Sequence, residues 1–369
     1  MNKKRIAVVV PGGVGSGFYN QGLPALMNLI SGLAERFDVT VYSMVSISDT
    51  FSPDGFAVRF LQADHRQWTP WRMLKLSVMI LKDHKKRPYE LFHGIWGGAS
   101  GMLAVLLGKW LDRPSVVSLR GGETADVQTI GYGHLHKRTK RKRLFRSLYT
   151  ANQVTALTRF QVEALRKYGF EKEVVVVPTG VDTSLFVPVE KEFRAPFHFL
   201  HIANLTEVKD QETLLRTFRL IRDEVDCKLI IIGADYLHGK LQRLCHELQL
   251  EHEVLFLGPV RNTELPHHFA KAHILLHTSL YESQAVVVAE AAACKVLVCG
   301  TKTGLIADLG QQTIAVEPGD HAGLANKVLS ILEDKERYES IVESAYTWAK
   351  AHSIEYTVDQ FTTIYNSLT

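Results

Sequence analysis

The chain has 369 residues, 46% hydrophobic and 22% charged, which suits two folded domains and excludes a disordered chain. No apolar run approaches the ~20 residues of a membrane span, and the four cysteines form no CxxC pair and lie near no histidines at zinc spacing. The net charge of +4 conceals an asymmetry: residues 1–188 carry 26 Lys/Arg against 14 Asp/Glu, residues 189–369 carry 17 against 25, and the basic half is expected to face something anionic.

The charged start, Met1 to Arg5, leads into only a short apolar run and no cleavage site, so it does not read as a signal peptide. Ile6 to Val10 reads as a buried parallel strand, followed by a glycine-rich turn, Pro11 to Gly17, and a helical pattern from about Leu23 to Arg36. Further strands are expected at Val39–Ser43, Val58–Leu61, Leu91–Ile95, Val116–Leu119, Val154–Leu157 and Val174–Val177, with helical stretches between them. A proline-bounded charged segment, 188–196, reads as a linker. The alternation then repeats: strands at Phe197–Ile202, Lys228–Gly233, Val254–Gly258, Ile274–His277 and Val296–Cys299, helices at about Asp210–Arg222 and Leu237–Leu248. About 335–368 is helical. The expected architecture is α/β: domains 1–187 and 197–345, each a parallel sheet with helices on both faces, and a cleft between them. Residues 346–369 are expected to form a C-terminal helix packing back towards the first domain.

The most informative segment runs from Thr278 to Ala293. Glu282 falls in a loop, and Glu290 lies eight residues on, about two turns into an apolar helix starting near Gln284. A carboxylate in such a stretch is expensive to bury unless something hydrogen-bonds it, and a sugar diol is a natural partner. The free amides at the helix start suit a diphosphate. Lys209, in the loop Ala203 to Asp210 after a core strand, is placed to neutralise phosphate charge.

With these residues in order, the chain resembles the family-4 glycosyltransferases, whose Glu-x7-Glu motif matches Glu282 and Glu290. The resemblance spans nearly the whole chain: the first glycine loop, Val177 to Asp182 with Phe186, Leu229 to Gly233, Val254 to Gly258, and Leu276 to Ala293. It implies the GT-B fold of two facing Rossmann-like domains, with the first on the acceptor side and the second binding the nucleotide sugar. It also implies transfer from a nucleotide-diphosphate-sugar with retention of configuration, without a metal and without a cofactor, the nucleotide sugar being a substrate. No Asp-x-Asp pair is present. By resemblance Lys209 contacts the diphosphate, Glu282 the transferred sugar and Glu290 the ribose, and the backbone of Ser283, Gln284, Ala285 and Val286 holds sugar and phosphate. Gly13 would lie against the donor.

Three departures from the pattern stand out. Asn204 stands in the donor loop where an arginine is usual, with Arg261 as a candidate substitute. Gln284-Ala285 replaces the usual Phe-Gly. Arg120, in Ser118 to Glu123, replaces the usual histidine, and reads either phosphate charge or an anionic acceptor; a structural pair with Glu123 is the plainer reading. His93, after the strand pair Leu91-Phe92, is a candidate acceptor-side residue alongside a purely structural reading.

The basic run Lys137 to Arg146 shares a helical pattern with Leu144, Phe145, Leu148 and Tyr149. A solvated face beside a core stripe is one reading, and a basic amphipathic helix on an anionic membrane is the other. No nucleic-acid recognition module accompanies it. The expected partners are therefore a nucleotide-sugar donor, a sugar or lipid-linked acceptor, and an anionic cytoplasmic membrane face, in glycan, glycolipid, capsule or exopolysaccharide synthesis. Two alternatives are a nucleotide-sugar epimerase of the same fold and a non-catalytic nucleotide-sugar-binding descendant, which would bind the nucleotide without transferring or hydrolysing the sugar.

Overall fold

A computed structural model describes residues 3–15, 22–62 and 70–369. Ser16 and Gly17 of the first glycine turn lie outside the described residues. Backbone contacts divide the chain into two units: Met1–Asp126, Gly133–Thr179 and Ile354–Thr369 form unit 1, and Val127–Tyr132 with Gly180–Ser353 forms unit 2.

Unit 1 takes, in chain order, β1 (Arg5–Val10), α1 (Pro24–Arg36), β2 (Asp38–Ser43), β3 (Ala57–Phe60), α2 (Pro70–Lys86), β4 (Leu91–Ile95), α3 (Ala99–Leu111) and β5 (Ser115–Leu119). A two-residue ribbon follows, β6 (Asp126–Val127) with β7 (Tyr132–Gly133), then α4 (Arg138–Thr150), β8 (Gln153–Ala156), α5 (Arg159–Arg166) and β9 (Val175–Val176). Seven strands pair in the order β3-β2-β1-β4-β5-β8-β9, all parallel, with Val8 opposite Val41 and His93. The alternation of strand side chains sorts the two faces. Ile6, Val8 and Val10 pack with α1, while Ala7 and Val9 pack with Leu76 and Ile80 of α2 and Leu103 and Leu107 of α3.

Unit 2 repeats the scheme with β10 (Phe197–Ile202), α6 (Gln211–Glu224), β11 (Cys227–Ile232), α7 (Lys240–Glu247), β12 (Val254–Gly258), α8 (Leu265–Lys271) and β13 (Ile274–His277). It closes with α9 (Val286–Ala293), β14 (Leu297–Thr301), α10 (Gly304–Leu309), β15 (Ile314–Val316), α11 (His321–Leu332) and α12 (Lys335–Ala351). Its six parallel strands run β12-β11-β10-β13-β14-β15. This doubly wound order reverses between β10 and β13, the switch point where such sheets bind ligands beyond their carboxyl ends. The four cysteines are buried thiols.

The helical stretch expected over 335–368 is two helices. α12 ends at Ala351, Val181 N–H donates to His352 O at 3.1 Å, and Val181 bridges Ser353, so tertiary pairing breaks a run that lacks proline or glycine. α13 (Ile354–Leu368) belongs to unit 1, where it lies so close to α1 that a Cβ on Gly32 would meet Val358 Cγ2 at 2.5 Å. Segment 188–196 sits within unit 2: the Phe193 ring meets Tyr338 at 4.5 Å, and Lys191 Nζ donates to the carbonyls of Phe269 and Cys294, each at 3.4 Å.

Leu144 and Leu148, half of the apolar stripe proposed for a membrane helix, are buried in the core of unit 1 with Leu119, Val154 and Phe170. Phe145 and Tyr149 lean on Phe170, at 5.1 and 4.7 Å between ring centres. The leucines of the α4 stripe therefore face inward, while Tyr149 stays about half exposed at the edge and most of the cations point out.

Candidate functional site

The expected donor residues gather in unit 2 at the carboxyl ends of β10 and β13, the two strands flanking the switch point. The loop after β10 and the loop after β13 are clamped together. Leu280 N–H donates to Val208 O at 2.8 Å, and Thr278 Oγ1 donates to Asp210 O at 2.9 Å. Thr301 Oγ1 holds Ser279 O from β14 at 2.6 Å.

Glu282 sits inside this clamp, buried, with three donors on one carboxylate oxygen. Lys209 Nζ reaches Oε1 at 2.5 Å, Ser279 Oγ at 2.6 Å and His277 Nε2 at 2.8 Å. Burial alone would raise this carboxyl, but the Lys209 ammonium, followed by the His277 hydrogen bond, overcomes it and holds Glu282 well below the usual carboxylate range. Glu282 is thus a fixed anion and Lys209 its fixed counter-ion. His277, itself buried, spends its Nε2–H on Glu282 and Ser279, and its Nδ1 has no partner among the described residues. Beneath it, ring centres 6.0 Å apart, lies His201. Burial pushes His201 down to about 3, so its ring is neutral: Nδ1–H donates to Leu276 O at 2.8 Å and Nε2 accepts from Gln211 at 3.3 Å.

The helix start falls two residues later than the sequence suggests. Ala285 is the N-cap of α9 with φ 66° and ψ 83°, a left-handed conformation that glycine adopts more readily, and it has no side chain to cap the first amides. Val288 N–H turns back to Ala285 O at 2.9 Å, and no side chain caps the amides ahead of it; a helix start of this kind suits an anionic group. Glu290, on the second turn of α9, is half-buried, and no hydrogen bond or ion pair reaches its carboxyl among the described residues. Burial pushes it up to about 7. Ser283 is half-buried and Gln284 buried, with Gln284 O accepting Leu305 N–H at 2.8 Å.

Asn204 lies in the expected loop but turns its Oδ1 to Ala234 N–H at 3.2 Å, tying the loop after β10 to the one after β11. Arg261, the expected substitute for the missing arginine, is exposed at the cap of the turn after β12.

Unit 1 holds the remaining expected residues. Gly13 adopts φ +83° and its carbonyl accepts Leu23 N–H at 2.8 Å, setting the entry to α1. His93 is a correction. It is fully buried on β4, with Nδ1 bonded to Tyr365 Oη at 2.5 Å and Nε2 to Ser118 Oγ at 2.7 Å, and burial pushes it down to about 3. A neutral ring with both nitrogens engaged ties α13 to the sheet and leaves neither nitrogen for an acceptor. Arg120 is half-buried, and its Nη2 donates to Thr179 Oγ1 at 2.7 Å. Its backbone N–H donates to Glu123 Oε1 at 3.0 Å, so the bond tying the two residues runs through the main chain. Burial lowers the guanidinium to about 10 against the pull of Glu123, and it stays charged at neutral pH.

Sequence reasoning missed three contributors: His277, Ser279 and Gly304. The first two had a signal in their place directly before the glutamate loop. Gly304 (φ +53°) had none: a Cβ there would meet Glu282 Cβ at 2.7 Å and Gln284 O at 2.8 Å.

A family model described as Glycosyltransferase Family 4 matches residues 25–185, and one described as Glycosyl transferases group 1 matches 187–348. The chain belongs to glycosyltransferase family 4. Among relatives of this family-4 chain, N-acetyl-alpha-D-glucosaminyl L-malate synthase of Bacillus anthracis is 33% identical over 174 residues, 45% of the chain and 44% of the relative. The phosphatidylinositol N-acetylglucosaminyltransferase gpi3 subunit of Schizosaccharomyces pombe is 25% identical over 188 residues, 48% of the chain and 41% of the relative. The matched region thus spans less than half the length of these relatives. Sucrose-phosphate synthase from Thermosynechococcus elongatus superposes with a TM-score of 0.84 at 19% identity, over 99% of each chain. Anabaena Alr3699/HepE, solved in complex with UDP and glucose, superposes with a TM-score of 0.79 at 18% identity, over 100% of each. The fold is GT-B.

Proposed function

We propose that this family-4 chain transfers a sugar from a nucleotide-diphosphate-sugar to an acceptor, with retention of configuration. The observation that carries the reading is the contrast within one loop and helix: Glu282 locked by Lys209, His277 and Ser279, and Glu290 without a partner among the described residues on the second turn of α9. Uncapped amides lie between them, at the switch point of the sheet.

In this reading the diphosphate lies on the α9 amides and the Lys209 ammonium, which stabilise the charge that develops as the sugar departs. Glu282 receives the sugar hydroxyls and Glu290 the ribose diol, whose hydroxyls supply the bonds that the Glu290 carboxyl otherwise lacks. Arg120 serves phosphate or acceptor charge. The acceptor attacks on the face from which the phosphate leaves. No metal or cofactor enters, because lysine and helix amides take the role of a cation.

Support for a nucleotide-sugar donor comes from Alr3699/HepE, a structural neighbour solved with UDP-glucose. The finer reading is a hexosyltransferase on the cytoplasmic face of a membrane, acting on a sugar or lipid-linked acceptor in envelope, capsule or exopolysaccharide synthesis. Relatives named for phosphatidylinositol and for an O-antigen chain support that reading. The test is a panel of nucleotide sugars, scored first by thermal stabilisation and then by slow donor hydrolysis. One donor is expected to raise the melting temperature and to be hydrolysed. Stabilisation by no donor would overturn the proposal, and binding without hydrolysis or transfer would favour a binding protein.

A further inference from the structure

The excess positive charge of the first half is not spread evenly. α2, α3 and α4 hold twelve Lys/Arg against one acid, Asp83. Asp83 is turned inward to Tyr42 Oη at 2.8 Å. The three helices form one layer: α3 packs against α2 on one side and α4 on the other, and together they cover one face of the sheet of unit 1. Lys75, Lys82, Lys109, Lys142, Arg143 and Arg146 are exposed, and none joins an ion pair among the described residues.

The same layer also exposes large apolar side chains. On α2, Trp71, Leu74 and Val78 recur at helical spacing and stand 64%, 51% and 42% exposed, while Leu76 and Ile80 of the same helix are fully buried. On α3, Leu106 and Trp110 stand one turn apart at 55% and 70% exposure. Two helices that already bury one apolar face against the sheet thus carry a second one outward, with lysines beside it: Lys75 one turn from Trp71, Lys82 one turn from Val78, and Lys109 next to Trp110. A solvated surface has no use for two tryptophans and three aliphatic residues on one layer. A bilayer interface suits the combination, because tryptophan settles at the headgroup level and unpaired lysines meet anionic lipid. No helix among the described residues is long and apolar enough to cross a membrane, so the surface would lie on the bilayer.

We propose that the outer face of α2 and α3, with Trp71 and Trp110 as anchors and the cations of α2 to α4 around them, docks the chain on an anionic lipid bilayer. The proposal rests on the membrane-side reading above for its occupant, but not on the donor chemistry, since vesicle binding needs no nucleotide sugar. It moves the apolar contact from α4, whose leucines are in the core, to its neighbours.

The experiment is co-sedimentation of the full chain with phosphatidylglycerol-containing and pure phosphatidylcholine vesicles, with tryptophan emission read alongside. The parent is expected to bind the anionic vesicles at least tenfold more strongly, with a blue shift. Trp71→Ser/Trp110→Ser is expected to weaken binding at least tenfold and abolish the shift, and Lys75→Glu/Lys82→Glu to weaken it similarly. Melting temperature and donor hydrolysis should hold in both, because these side chains are exposed and outside the donor site. A parent that binds neither vesicle would overturn the membrane reading as a whole. A parent that binds, with a tryptophan variant binding equally, would overturn only this surface. Concentration-dependent self-association lost in the tryptophan variant, without vesicle binding, would assign the face to a second copy instead.

Discussion

Glu282 and Glu290 flank the start of one helix, eight residues apart, in opposite surroundings. Glu282 receives an ammonium, an imidazole and a hydroxyl on a single oxygen and is held as an anion. Glu290 has apolar neighbours and no partner among the described residues, and its carboxyl is pushed up to about 7. The difference separates two ways of preparing a polar site. One carboxylate is pre-organised by the protein, so its geometry is set before any ligand arrives. The other is left without a partner among the described residues, and in the proposed reading a ligand supplies the missing bonds.

The largest effect is expected from breaking the finished half. Glu282→Ala should lower donor turnover by about 10²–10³-fold, read by donor hydrolysis under saturating donor. Lys209→Ala should weaken nucleotide binding by about 10–100-fold, measured by calorimetry. It should also destabilise the apo protein by about 2–4 kcal/mol in denaturant titration, because a buried anion loses its counter-ion. A depressed carboxyl contributes stability above its unfolded value of 4.5 that is lost as pH falls through the folded value. The parent should therefore hold that contribution to lower pH than Lys209→Ala. Similar acid limbs for the two would show that the ion pair does not set the Glu282 carboxyl.

The unfinished half should behave with the opposite sign. A carboxyl raised from 4.5 to about 7 penalises the folded state as pH rises through that window. Glu290→Gln should then be more stable than the parent at pH 8, by on the order of 2 kcal/mol, with the gap closing below pH 5. Nucleotide binding by the parent should tighten as pH rises through about 7 and release a proton, and Glu290→Gln should bind about tenfold more weakly with a flat profile. A parent profile already flat would place Glu290 among structural residues. The smallest effect is expected from Ala285→Gly. Relief of the left-handed strain, offset by a more flexible unfolded chain, should stabilise by at most ~1 kcal/mol in thermal unfolding.

The strand runs were legible because the central parallel strands read as continuous apolar stretches, as Ile6 to Val10 and Leu229 to Ile232 do. The glutamate pair was legible because a carboxylate within Val286 to Ala293 has no local reason to be there. What escaped was long-range. The pairing of Lys209 with Glu282 joins positions 73 apart, and that of His93 with Tyr365 joins positions 272 apart, so neither spacing nor periodicity could indicate whether His93 was free. The same holds for α4, where the apolar stripe was readable but its burial against β5 and β8 was not. Gly304 shows its reason only once the 282–284 loop is laid against it.

The bond from His93 to Tyr365 also bears on how the chain can be made. α13 lines the core of unit 1, where Phe361 and Tyr365 are buried beside β1 and β4, yet it follows the entire Gly180–Ser353 stretch of unit 2. During synthesis the first sheet therefore emerges without one of its covering helices and waits, the apolar face that α1 shares with α13 only partly covered, while the whole second unit is translated. The second unit, bounded within one nearly continuous stretch, has its own core within reach much earlier after its first strand appears. Maturation should then run against the order of the sequence: the half begun first is the half finished last.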